Sequence, residues 1–179
     1  FITNTEVGTQ YPIDKLRAKF DAVVLCGGAA KPNDLPIPGR ELGGIHFAMD
    51  FLRGNTKHLL DERGGLSPNG HFISAAGKDV IVIGGGDTGT DCVGTSLRHG
   101  CKSLAQFEIV PRPPDARTAD NPWPQWPRVY KMDYGQVEAA ARFGAYPRTY
   151  QISTTQFVGD ENGHVKELHT TKVNMRFAD

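Results

Sequence analysis

The chain has 179 residues, enough to bury one sizeable core and part of a second. Its 20 basic and 20 acidic residues cancel, so no charge excess selects nucleic acid or an anionic membrane as a partner. No apolar run approaches the roughly 20 residues that cross a bilayer, and no basic-then-apolar leader opens the chain, so a neutral protein of the cytoplasm is expected.

The opening FITNTEVG, from Phe1, reads as though entered partway through a folded unit, and the chain is expected to be an excised piece. In FDAVVLCGGA the apolar run Ala22 to Leu25, bounded by Asp21 and the Gly27-Gly28 pair, predicts a buried strand followed by a turn with exposed backbone. KPNDLPIPG, Lys31 to Gly39, holds three prolines and no regular period, so it reads as an extended connector. This sets expected units of 1–40 and 41–179.

After the connector, apolar residues at Ile45, Ala48, Met49 and Leu52, with Leu59 and Leu60 farther on, predict a helix with one buried face. Glu62 to Asp79 is glycine-rich and polar and reads as a surface loop. VIVIGGGDTGTD then passes from a β-branched run from Val80 into glycines spaced Gly84, Gly86 and Gly89. A helix is expected from Asp87 or Thr88 to a glycine cap at Gly100, and Ser103 to Pro111 is apolar enough for a second strand. Strand, glycine turn, helix and strand make a βαβ unit, whose strands are parallel.

In such a unit the first glycine of G-x-G-x-x-G permits the tight turn, the second lets a pyrophosphate approach the backbone, and the third lets the helix pack on the strand. The helix N-terminus offers unpaired N–H groups to the phosphates. Gly84, Gly85, Gly86, Asp87, Thr88 and Gly89 are therefore the candidate coenzyme contacts. Glu108 stands nineteen residues beyond Gly89, close to the roughly 20 at which an acid accepts the adenosine ribose hydroxyls, and it favours NADH. Arg112, four residues later, offers a cation for the 2'-phosphate of NADPH.

Beyond that strand, Arg112 to Arg128 sets Trp123 and Trp126 among prolines, too rigid and irregular for helix or strand. A surface loop whose tryptophans bury apolar area is expected, or else a lid. Tyr134 to Gly144 is alanine-rich and predicts a helix, and two β-rich runs around Asn162-Gly163 predict a hairpin. Cys26, Cys92 and Cys101 form no C-x-x-C, and His46, His58, His71, His99, His164 and His169 are scattered. They are expected to be packing or surface residues, with no metal ligand and no acid-base or nucleophilic catalyst among them.

LPIPGRELGGIHFAMDFL, VIVIGGGDTGTDCVGTSLRHG, FEIVPRPP, NPWPQWPRVY and FVGDENGHVK, in that order, resemble the small (beta) subunit family of glutamate synthase. The resemblance runs from Asn4 to Val173, and NPWPQWP is far more specific than the glycine triplet. It implies a flavin-dependent pyridine nucleotide oxidoreductase. Hydride would pass from NAD(P)H to FAD, then electrons through 4Fe-4S clusters and FMN to a large (alpha) subunit that makes glutamate from glutamine and 2-oxoglutarate. Members of that family use either coenzyme. The implied fold is α/β: a Rossmann-like nucleotide-binding domain with a parallel sheet and an added β-hairpin, preceded by a fragment of the FAD domain containing Gly27 and Gly28. The sequence holds no second G-x-G-x-x-G for FAD and only three cysteines, whereas a cluster takes about four thiolates. The chain by itself is thus expected to bind coenzyme without passing electrons on. The competing readings are the electron-input module of another flavin oxidoreductase, such as a dihydropyrimidine dehydrogenase-like one, and a non-catalytic interaction domain that keeps the fold.

Overall fold

Three strands and three helices between Ala48 and Tyr150 position everything that follows. The computed structural model describes residues 1–29, 31–60 and 72–175. Backbone contacts divide the chain into two units, Phe1–Asn33 and Asp34–Asp179.

In the first unit, helix α1 (Ile13–Lys19) starts after Pro12, whose fixed φ suits the entry to a helix. The strand expected over Ala22 to Leu25 does not form. No strand among the described residues pairs with it, and Val24 and Leu25 stand 82% and 91% exposed. An apolar run specifies that it should be covered but cannot by itself supply the ladder that makes it a strand. Gly27 and Gly28 follow in the same exposed stretch, outside any helix or strand.

In the second unit, helix α2 (Ala48–Leu60) begins three residues after the start expected from its apolar spacing and buries Phe51. Of the surface loop expected over Glu62 to Asp79, residues 62–71 lie outside the described residues, and 72–78 are loop and turn. Strand β1 (Asp79–Ile83), helix α3 (Asp87–Arg98) and strand β2 (Ser103–Glu108) build the expected βαβ unit, with β1 and β2 parallel from Asp79↔Ser103 to Ile83↔Phe107. Helix α4 (Tyr134–Phe143) ends at Gly144, whose φ of 74° is the left-handed cap. It leads to strand β3 (Arg148–Tyr150), which no sequence signal announced. That strand lies parallel to β2, so the sheet order is β1-β2-β3. The hairpin forms around Asn162-Gly163 as a separate two-stranded antiparallel sheet, β4 (Ile152–Gly159) and β5 (Val165–Lys172). The proline-rich segment docks on it: Pro38 O accepts from Phe157 N–H, and Gly43 bridges His164.

The register sorts side chains by face. Val82 pairs with Gln106 and Gln106 with Arg148, while Glu108 pairs with Tyr150, so these residues share one face with Val80 and Leu104. On that face Val80, Val82 and Leu104 pack against Cys92, Val93, Leu97 and Cys101, with Ala139 of α4 and Phe51 of α2 completing the core. Each of the larger aliphatic side chains so buried contributes about 1.5 to 3 kcal/mol. Ile81 and Ile83, on the opposite face of β1, are half exposed, although both faces of parallel sheets are ordinarily covered.

Cys92 and Cys101 sit inside this core, and burial raises both thiols above their ordinary range, Cys92 to about 11. Cys26 is exposed. His99 joins three segments as a neutral ring: Nδ1 accepts from Ala75 N–H at 3.3 Å and Nε2 faces Asn55 Oδ1 at 2.8 Å, with burial holding its pKa down.

Candidate functional site

β1 runs straight into the glycine turn. Gly84 takes φ 119°, a conformation closed to ordinary L side chains, while its N–H still bonds Phe107 O and so extends the parallel ladder by one residue. The third glycine of the triplet does the packing expected of it. A Cβ on Gly89 would stand 2.5 Å from Gly84 O and 2.9 Å from Gln106 Nε2, so α3 can approach the strand end only without a side chain there. The middle glycine behaves differently. A Cβ on Gly86 would meet nothing within 4 Å, because this residue borders open space.

That space is a cleft of about 230 Å³ at the C-terminal ends of the parallel strands, lined among others by Gly85, Gly86, Asp87, Thr90, Glu108 and Arg148. Two helices begin at it and they begin differently. α4 is closed by a capping box, in which the Asp133 side chain accepts from Gln136 N–H and the Gln136 side chain accepts from Asp133 N–H, and the Asp133 carboxylate also accepts from Tyr134 N–H. α3 has Gly86 at its N-cap and no side-chain cap, so the amides of its first turn keep their hydrogen-bonding capacity for an acceptor in the cleft. Asp87 and Thr88 are exposed in that first turn.

Glu108 closes the cleft from the end of β2. Its Oε1 accepts from Ile109 N–H at 2.7 Å and Val110 N–H at 3.3 Å, while Oε2 comes so close to Gly85 that a Cβ there would collide with it. The carboxylate is thereby fixed over the glycine turn. Arg112 lies elsewhere: it does not line the cleft, its Nη2 donates to Asp115 at 2.6 Å, and its guanidinium stacks 3.8 Å from the Tyr130 ring. The geometry thus brings together Gly84, Gly85, Gly86, Asp87, Thr88, Gly89 and Glu108 but not Arg112, and Gly27 and Gly28 fall in the first unit.

Sequence reasoning missed a buried polar network beneath the turn. Gln106, wholly buried, donates from Nε2 to Gly84 O at 2.9 Å. Its Oε1 accepts from Gln136 Nε2 at 3.0 Å and from Arg148 Nε at 3.2 Å. Gln136 Nε2 also donates to Thr90 Oγ1 at 2.9 Å. Gln106 therefore joins the turn, the capped end of α4 and β3, and Gln136 carries the connection on to α3. Its visible traces were a glutamine inside the apolar run SLAQFE and the D-x-x-Q spacing of Asp133 and Gln136, which marks a capping box.

The tryptophan loop departs from expectation. Trp123 and Trp126 are 83% and 80% exposed, so they do not bury apolar area in a packed loop. Asn121 organises the segment instead: buried, it donates from Nδ2 to Gln125 Oε1 and Trp126 O and accepts from Arg128 N–H, while Arg117 donates to the carbonyls of Asn121 and Gln125. Lys131 is one of the residues lining the cleft, and its ammonium lies 5.3 Å from the Trp126 ring centre.

In α/β units of parallel strands, a bare helix end at the C-terminal edge is a common place for anionic ligands to bind. The family model of the pyridine nucleotide-disulphide oxidoreductases matches residues 3–126, and the chain belongs to that family of oxidoreductases. It is 53% identical over 174 residues to "Glutamate synthase [NADH]" of Schizosaccharomyces pombe, covering 96% of this chain and 8% of that protein. It is 52% identical to "Glutamate synthase [NADPH] small chain" of Bacillus subtilis, covering 97% of this chain and 34% of that protein. With the Mycobacterium tuberculosis small chain of the same name the identity is 44%, over 98% of this chain and 34% of that one. The chain thus spans 8% to 34% of the length of these relatives, and their names divide between the two coenzymes. Among the described residues no helix is long and apolar enough to cross a membrane, and no group of three His, Cys, Asp or Glu side chains could hold a metal ion.

Proposed function

We propose that the second unit binds the adenosine and pyrophosphate half of NAD(P)H and presents the nicotinamide for hydride transfer in a protein of the glutamate synthase type. The observation that carries this reading is the pairing of an uncapped α3 N-terminus with a glycine, Gly86, that faces open space. The cleft is smaller than the roughly 300 to 1,000 Å³ of whole-ligand pockets, which suits binding of one half of a dinucleotide. In this reading the amides of Gly86 through Gly89 hold the pyrophosphate, and Glu108 accepts the adenosine ribose hydroxyls. NADH is the favoured coenzyme, since the fixed carboxylate repels a 2'-phosphate. In this reading residues 1–40 are the flavin-side fragment with its connector and 41–179 the coenzyme domain, although backbone contacts group residues 34–40 with the latter.

The chemistry a nicotinamide supplies is hydride donation, and the protein's share is to bind and orient it. Flavin and iron-sulfur groups do not fit here. The sequence has one G-x-G-x-x-G, and two of its three cysteines are locked in the core. For the whole protein the proposal adds onward electron flow, a large-subunit partner that makes glutamate from glutamine and 2-oxoglutarate, and a cytoplasmic setting.

Equilibrium titration with NADH and NADPH tests the reading. Glu108→Gln keeps a carbonyl for the Ile109 and Val110 amides but removes the charge. It should move the affinity ratio toward NADPH by about 1 to 2 kcal/mol. A ratio equal to that of the unaltered chain would remove Glu108 from the ribose.

A further inference from the structure

The cleft holds two cations that the glycine turn does not account for, Arg148 and Lys131. Arg148 is half buried at the end of the sheet. Its Nε donates to Gln106 Oε1 and its Nη1 to Tyr150 Oη, both at 3.2 Å, so the planar group is oriented by two neutral partners. Nη2 has no hydrogen-bond partner among the described residues, and no carboxylate there lies within 4 Å of the guanidinium. Arg40, Arg98 and Arg112, by contrast, are each paired with an acid. A partly buried guanidinium held in place without a counter-charge is an anion receptor.

Three carboxylates also line the cleft. Those of Glu108 and Asp133 are engaged by backbone amides, and that of Asp87 stands exposed in the first turn of α3.

Strand order bears on which anion this is. With the pyrophosphate proposed at the turn after β1 and the ribose at Glu108 on β2, β3 comes next in the sheet beyond the ribose strand. We propose that Arg148, with Lys131 as the second cation, is the subsite for the 2'-phosphate of NADPH, so that a cleft whose carboxylate favours NADH also accepts the phosphorylated coenzyme. The inference rests on the proposed dinucleotide site and replaces Arg112, already neutralised by Asp115, as the source of positive charge.

The test is the ratio of dissociation constants, NADPH over NADH, at fixed ionic strength for the unaltered chain, Arg148→Gln, Lys131→Ala and Arg112→Gln, with circular dichroism confirming the fold of each. Arg148→Gln should raise the ratio about tenfold or more, and Arg112→Gln should leave it within about twofold. Should Arg148→Gln fail to fold, Lys131→Ala, which trims an exposed side chain, decides the matter by raising the ratio at least about threefold. A smaller change in the deciding variant, an equal loss for both coenzymes, or an effect of Arg112→Gln as large as that of Arg148→Gln overturns the subsite. A chain that binds NADH but no NADPH also overturns it while leaving the dinucleotide site standing. A chain that binds neither overturns the dinucleotide site, and the subsite with it.

Discussion

Gly86→Val is expected to fold like the unaltered chain and to lose measurable dinucleotide binding. The backbone of Gly86, at φ −74° and ψ −177°, is open to any residue, and a Cβ there meets nothing within 4 Å. The fold therefore loses no more than the difference between two N-cap residues, about 1 kcal/mol. The branched side chain would instead fill the space in which a pyrophosphate approaches the α3 amides, each a charge-assisted hydrogen bond of about 1.5 to 3 kcal/mol. Loss of two such bonds weakens binding by about two orders of magnitude or more. The informative control is Gly89→Ala. Its Cβ would press on the backbone oxygen of Gly84 at 2.5 Å, which cannot swing aside as a flexible side chain would, so this variant should lose about 1 to 3 kcal/mol of stability. Isothermal titration and denaturant melts of both variants separate a contact made to ligand from one made within the fold. A folded Gly86→Val chain with unchanged affinity would refute the assignment of that glycine.

The second large effect is expected of Gln106→Leu. Leucine suits the interior of an apolar strand and occupies a similar volume, so a purely hydrophobic account of β2 predicts little change or a small gain. The network predicts the opposite. Removing the amide leaves Gly84 O, one Gln136 Nε2 proton and Arg148 Nε without their partner at a position shut off from water. Each unsatisfied buried polar group costs about 1 to 3 kcal/mol, and relaxation or entering water offsets part of the sum, so a net loss of about 2 to 4 kcal/mol is expected. Coenzyme affinity should fall together with stability, because the same amide fixes Gly84 and orients Arg148. Denaturant melts that agree within about 0.5 kcal/mol, the usual effect of a neutral surface change, would show the network to be dispensable.

Parts of this molecule were legible in its sequence because their causes are local. The βαβ unit was visible in a β-branched run, three spaced glycines and a glycine past the helix end. The hairpin was visible in Asn162-Gly163, and α4 in its alanines. The parts that escaped depend on partners far along the chain. Val23, Val24 and Leu25 look like a strand to any local rule, yet a strand is a pairing, and the described residues offer this one none. β3 has three residues and takes its identity from β2, whose register it copies from Gln106↔Arg148 to Glu108↔Tyr150.

The same distinction divides the candidate site. Glu108 was found by counting from the glycines, since a strand and a helix of ordinary length fix where the next strand ends. Arg148 could not be found by counting, because a helix and a long irregular loop intervene. Arg112 was the nearest cation in sequence, but Asp115 three residues on and the Tyr130 ring hold it outside the cleft. The tryptophans misled for another reason. Large aromatic residues usually bury area, but in this loop the buried polar group is Asn121, and its hydrogen bonds leave Trp123 and Trp126 facing outward.

The central claim, that the α3 N-terminus and the glycine turn before it receive the coenzyme, is tested most directly by titrating NADH into isotope-labelled chain and following backbone amide resonances. The account predicts saturable shifts that are largest at the amides of Gly85 to Gly89, smaller at Ile109 and Val110, where Glu108 is anchored, and negligible along the β4–β5 hairpin. Shifts centred on the hairpin or on the first unit, or a spectrum unmoved by coenzyme while the chain is folded, would contradict it.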